Sequence, residues 1–264
     1  MEYQPLIASA SALENSYTLA CVTHSTLRDD PFETYPDLRT IFPELSTFEV
    51  EAHWGMVMWN ADTAVLAFRG TDSNLEWAQS FSYKQTLWMS GKAHGGFVRA
   101  LDMIWEPMLA ALYDTGVLEG TKTLWVSGHS LGGALALLAG SRLDQLGFEI
   151  HEVVTFGTPQ VFDLVAADAY PVPVHRFVNN EDPVPRMTWP TLFDKYTHVG
   201  EEYFLLASGA LGEQRHSHGL SRRIDRTNSI GEGILPAGWL HDHFMREYVR
   251  KLGLLWAVGT SASQ

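Results

Sequence analysis

The residues best arranged for chemistry are Gly128-His129-Ser130-Leu131-Gly132, a serine with a glycine two places to either side. A β-prone run, 122–127, precedes it and an alanine- and leucine-rich, helix-prone run, 133–139, follows. A serine on a sharp strand-to-helix turn is forced outward, and the flanking glycines leave room where a Cβ would clash. The same turn aims the first helical N–H groups at an oxygen developing charge beside the serine. That is the chemistry of nucleophilic attack on a carbonyl. With glycine near about 7% of average usage and serine similar, G-x-S-x-G arises by chance in about one chain in ten of this length. The motif therefore needs its partners.

An acid is available where the run 174–178 passes into Asn179-Asn180-Glu181-Asp182-Pro183. Asp182 falls at a strand end stiffened by the prolines that follow, placed to accept Nδ1–H of a histidine and fix its tautomer. Glu181 is the alternative, expected to face solvent. A base is available in His241-Asp242-His243, where the chain enters the last helix-like run. His243 is the expected proton acceptor for Ser130, with His241 its rival. The order Ser130, Asp182, His243 is that of α/β-hydrolases. An early loop in such a fold supplies one oxyanion donor and the residue after the nucleophile the other; Thr71, at the end of Phe68-Arg69-Gly70-Thr71, and Leu131 take these places.

These residues need a scaffold that brings distant loops together. Strand-like runs occur at 50–60, 63–68, 123–127, 152–156, 174–178 and 196–206, and helix-like runs at 9–24, 96–114, 133–146, 163–169 and 242–252. Only two residues separate the first two strands, which predicts an antiparallel hairpin. The later strands alternate with helices and are expected to be parallel. The predicted fold is α/β: one domain over 1–264, a central, mostly parallel sheet with an N-terminal antiparallel hairpin, flanked by helices. Loops at the C-terminal strand ends of such a sheet converge on one edge, where ligands bind.

The 264 residues carry 18 basic and 31 acidic side chains, net −13, which disfavours nucleic acid and anionic membranes as partners. No apolar run is long enough to cross a bilayer. Residues 1–5 lack the basic and apolar regions of a signal peptide, so the chain reads as cytoplasmic or as a secreted protein without its signal. The one cysteine, Cys21, allows no internal disulfide and is expected to be an inert packing residue.

Seven segments together resemble the class 3 (fungal-type triacylglycerol) lipases: FRGTDS at 68–73, HGGF at 94–97, VSGHSLGGALA at 126–136, TFGTPQV at 155–161, VNNEDPVPR at 178–186, YTHVG at 196–200 and DHFMREY at 242–248. The resemblance implies the α/β-hydrolase fold, Ser130 as nucleophile, Asp182 as acid, His243 as base and Thr71 with Leu131 as oxyanion hole. It also implies a lid near 74–92, where Trp77, Phe81 and Trp88 could share one helical face against substrate; a fixed amphipathic helix is the competing reading. Phe162 stands where relatives often have glycine, and 207–239 matches nothing in the family. No cofactor and no metal are expected; the pairs His216/His218 and His241/His243 are weak metal signals without an acidic or cysteine cluster. The expected activity is hydrolysis of acylglycerols or other apolar esters through an acyl-enzyme, at a lipid–water interface if the lid moves. Feruloyl-type, polyester-cleaving and phospholipase A1 activities are alternatives within the class. An inactive homologue serving as a binding module is the alternative outside it.

Overall fold

Residue alternation along the strands sets which side of the sheet each side chain covers. Thr63–Phe68 is buried at every position, the signature of a strand covered on both faces. Leu66 and Phe68 join one apolar cluster, Val65 and Ala67 the other. The computed structural model describes residues 5–70, 84–186, 196–212, 215–216 and 240–262. Within them run α1 (Ala12–Ser25), α2 (Leu38–Ile41), β1 (Glu44–Val50), β2 (His53–Trp59), β3 (Thr63–Phe68), β4 (Gln85–Trp88), β5 (Gly91–His94), α3 (Gly95–Tyr113), β6 (Thr123–His129), α4 (Leu131–Gln145), β7 (Ile150–Phe156), α5 (Leu164–Asp168), β8 (Val174–Asn179), β9 (Glu201–Leu205), β10 (Arg215–His216) and α6 (Met245–Ala262).

The main sheet has the order β1-β2-β3-β6-β7-β8-β9-β10. The first three strands pair antiparallel, β3 through β9 pair parallel, and β10 closes antiparallel on β9. Helices α3 and α4 cover one face, packing Phe97, Leu101, Leu135 and Leu138 against Leu66 and Val126. Helices α1 and α6 cover the other, packing Leu19, Val22, Tyr248 and Leu252 against Met56, Trp125 and Phe156. The start of α1 is fixed by a capping box in which Ser11 and Glu14 satisfy each other's backbone N–H groups. The start of α3 is capped by the His94 imidazole, whose Nδ1 accepts from Phe97 N–H at 3.4 Å. Pro107 lies inside α3, which continues through it to Tyr113.

Four elements depart from expectation. Strand β1 was not expected, because it is an edge strand in which only Phe48 is buried and the alternation is mostly polar. The stretch 50–60 is accordingly two structures, with a turn at Glu51 (φ 54°) between β1 and β2. The expected strand 196–206 shortens to β9, because Gly200 turns the chain with φ 79°. Helix α6 begins later than 242, after the 3₁₀ turn His241–His243, and runs on to Ala262.

The fourth departure concerns the expected lid. Its second half is not a helix face: β4 and β5 form an antiparallel hairpin with Trp88 opposite Gly91. Trp88 is 5% exposed and donates its indole N–H to Ser141 Oγ at 3.1 Å. Arg142 stacks on the same ring, 4.9 Å from its centroid. Ser141 is eleven residues along α4 from Ser130, about 16 Å at helical rise. Trp88 is thus a packing residue remote from the serine, not a substrate contact. The hairpin reads as a helix face because Trp88 falls at helical spacing from Trp77 and Phe81 in the sequence.

Candidate active site

Strand β6 delivers Ser130, and its backbone conformation (φ 55°, ψ −123°) lies in a sparsely populated region. Holding a serine there costs of order 1–3 kcal/mol, which the surrounding packing must offset. Two glycines make the turn sterically feasible. A Cβ at Gly128 would lie 2.1 Å from the Gly132 carbonyl oxygen, and one at Gly132 would lie 2.3 Å from the carbonyl oxygen of Phe68. The turn places Leu131 as the first residue of α4, so its N–H has no acceptor one helical turn back.

Three side chains meet at this elbow. His243 Nε2 is 2.8 Å from Ser130 Oγ. Its Nδ1 is 2.9 and 3.0 Å from the two carboxylate oxygens of Asp182. A carboxylate only accepts, so Nδ1 carries the proton and Nε2 is left to accept from the serine hydroxyl. Asp182 is fully buried and also accepts from Val184 N–H at 2.9 Å and from the Tyr248 hydroxyl at 2.5 Å. Burial, and then the negative charge of Asp182, hold the Tyr248 phenol well above its ordinary pKa, so it remains a donor. Gly157 allows these groups to close up. It has φ 57°, and a Cβ there would lie 2.6 Å from Asp182 Oδ2 and 3.1 Å from His243 Nδ1.

The loops carrying acid and base are also tied to each other. Asp242 Oδ2 accepts from Asn180 Nδ2 at 2.8 Å and Glu181 N–H at 3.2 Å, and its carbonyl accepts from Asn179 Nδ2 at 2.8 Å. On the serine side, His129 donates Nε2–H to the His243 carbonyl at 2.6 Å, and the two rings lie 4.6 Å apart. Burial, and then the neighbouring His243, hold His129 well below the ordinary histidine pKa, so it is a neutral, one-way donor.

The structure thus brings Ser130, Asp182, His243 and Leu131 together. Glu181 points outward, 72% exposed, toward Arg186. His241 is 57% exposed and faces Glu247 at 3.5 Å, away from the serine. Thr71, Trp77 and Phe81 lie outside the described residues, as do His218 and most of 207–239. Phe162 is buried and its main chain bridges both Ala93 and Thr197, so the loop is braced rather than opened by the missing glycine. Cys21 is buried, and burial pushes its thiol up to about 12. Among the described residues no group of three His, Cys, Asp or Glu is arranged to hold a metal, and no helix is long and apolar enough to cross a membrane. The sequence reading gave Tyr248 no role beyond its place in DHFMREY and missed Gly157 and the Asn179–Asp242 ties; TFGTPQV and VNNED were the signals that contained them.

The chain is similar to known lipases over part of its length. The family described as Lipase (class 3) matches residues 65–191, a span that includes the elbow and Asp182 and stops short of His243. A secreted mono- and diacylglycerol lipase 1 from Fusarium solani is 30% identical over 147 residues, 53% of this chain and 43% of the relative. A Rhizomucor miehei lipase is 31% identical over 153 residues, 54% of this chain and 42% of the relative. The chain therefore matches under half the length of these relatives. A crystal structure of an MDLA mutant from Penicillium cyclopium superposes with a TM-score of 0.66 at 20% identity, covering 89% of this chain and 96% of that one. At such identity the superposition speaks for the fold, and the fold is that of the α/β-hydrolases. Matched segment, relatives and architecture converge: residues 65–191 match the class 3 lipase family, and the chain around them has the fold of the solved lipases.

Proposed function

We propose that this protein is a serine carboxylic-ester hydrolase acting on acylglycerols, and that the hydrogen-bonded line Asp182–His243–Ser130 is its catalytic triad. The observation that carries this reading is the 2.8 Å contact between His243 Nε2 and a buried serine held in a strained elbow. Ser130 Oγ attacks the ester carbonyl while His243 takes its proton, and Asp182 holds the imidazolium that results. The Leu131 N–H stabilises the developing oxyanion, with Thr71 as the second donor; one such donor is worth about 3–4 kcal/mol. His243 returns the proton to the leaving alcohol, and water repeats the cycle on the acyl-enzyme. No step needs a metal or a cofactor.

The name of the Fusarium solani relative favours mono- and diacylglycerols as substrates. Of the segment read as a lid, 74–83 lies outside the described residues, and Trp77 and Phe81 there are the aromatics left to form a flap over lipid. Hydrolysis of p-nitrophenyl esters from acetate to palmitate by wild type and Ser130→Ala tests the reading. Activity in the wild type that vanishes in the variant is expected; activity surviving in Ser130→Ala overturns it. An upturn in rate as tributyrin passes its solubility limit is expected if the flap opens at an interface, and a smooth saturation curve removes the flap.

A further inference from the structure

Lys251 is 1% exposed, and the mechanism above makes no use of it. A lysine is almost never fully buried unless something holds it. Its ammonium can only donate, and it donates to Asn179 Oδ1. That fixes which end of the Asn179 amide is oxygen, so the other end, Nδ2, must donate, and it does so to the Asp242 carbonyl at 2.8 Å. The backbone of Asn179 is committed as well. Its N–H donates to Tyr248 Oη at 3.1 Å, which leaves the phenol's own proton for Asp182 Oδ2.

A single residue, oriented by a buried cation, thereby sets the polarity of two bonds. One secures the residue preceding the base and the other serves the acid. Asn180 and Glu181 add their own bonds to the Asp242 carboxylate, and Asn180 takes up φ 41° in the course of this turn. The spacing between the acid loop and the base loop is thus set by groups that never touch substrate. Misplacing a catalytic group by about 1 Å costs of order 100-fold in rate.

We propose that Lys251 and Asn179 are positioning residues: Lys251 orients the Asn179 amide, and Asn179 holds the His243 loop in register with Asp182. This rests on the ester-hydrolase reading. The test compares kcat and KM on p-nitrophenyl butyrate for wild type, Lys251→Met, Asn179→Asp and Leu101→Ala, with Tm measured for each. Asn179→Asp is isosteric and keeps an acceptor for Lys251, but it sets an anionic oxygen in place of the donor to the Asp242 carbonyl. Leu101→Ala lowers stability from the opposite face of the sheet. The expected result is a fall in kcat of about 10–100-fold in Lys251→Met and Asn179→Asp with KM within about threefold of wild type. Leu101→Ala is expected to lose Tm but not kcat. Wild-type kcat in folded Asn179→Asp overturns the proposal, as does a loss in both variants no larger than that of Leu101→Ala. A wild type that cleaves no ester overturns the hydrolase reading itself and this proposal with it.

Discussion

Two histidine–carboxylate groups occupy opposite ends of the same parallel strands, and only one of them is built to move a proton. At the C-terminal ends, Asp182, His243 and Ser130 are linked by contacts of 2.8–3.0 Å. Near the N-terminal ends, His175 stands between Glu152 and Glu201 at 3.6 Å from each, and His151 stands 3.7 Å from Glu152. Those separations are too long for hydrogen bonds. His151 Nε2, Glu152 Oε2 and His175 Nδ1 have no hydrogen-bond partner among the described residues. Both groups set histidine beside a carboxylate. The difference lies in what carries them: the second group sits within strands, whose ladder fixes each Cα, whereas the first sits on loops and turns that can curl until the side chains meet. Those loops also bring donors, Val184 N–H and the Tyr248 hydroxyl, which a strand face does not offer.

The comparison breaks first at the serine and histidine. Ser130→Ala or His243→Ala is expected to lower kcat by about 10⁴–10⁶-fold with Tm near wild type. Steady-state kinetics beside a thermal melt would check it, and retention of more than a few per cent activity by His243→Ala would hand the base role to another residue. Next is the elbow. Gly132→Ala drives a Cβ to within 2.3 Å of the Phe68 carbonyl oxygen, so chemical denaturation should show a loss of about 1–3 kcal/mol. Tyr248→Phe removes one donor from Asp182 and is expected to lower kcat about tenfold, about 1.4 kcal/mol, while KM holds.

Smaller effects follow from pH and from the second histidine group. Burial, and then Arg99, push His94 down to about 4, while His129 is held well below its ordinary value. Both are neutral when folded and titrate near 6.5 when unfolded. Below that pH the unfolded chain binds protons that the folded one refuses. The stability these residues contribute is therefore complete above pH ~6.5 and lost as pH falls toward 4, at up to about 1.4 kcal/mol per pH unit for each. Denaturation midpoints across that window should decline with falling pH, and a flat profile would contradict the assignment. Smallest of all, His175→Gln is expected to leave kcat within about twofold of wild type; a drop of tenfold or more would mean that the two ends of the sheet are coupled.

Much of this was legible in the sequence because a few residues favour one geometry. Gly128, Ser130 and Gly132 fit a tight turn between a strand and a helix, and the short apolar runs around 63–68 and 123–129 fit strands buried on both faces. The order of acid and base along the chain then follows from the strand order. What escaped reading depends on contacts distant in sequence. Nothing near Lys251 announces that it meets Asn179, 72 positions earlier. Strand β1 exposes too much polar surface to show a clear alternation, and Trp88 satisfied a helical period by coincidence while belonging to a hairpin.

The measurement that tests the central claim most directly is intact-protein and peptide mass spectrometry after reaction with diethyl p-nitrophenyl phosphate. One diethylphosphoryl adduct is predicted, on the peptide bearing Ser130, with none in Ser130→Ala and strong suppression in His243→Ala. A wild type that stays unmodified, or an adduct on another residue that survives Ser130→Ala, would contradict the account.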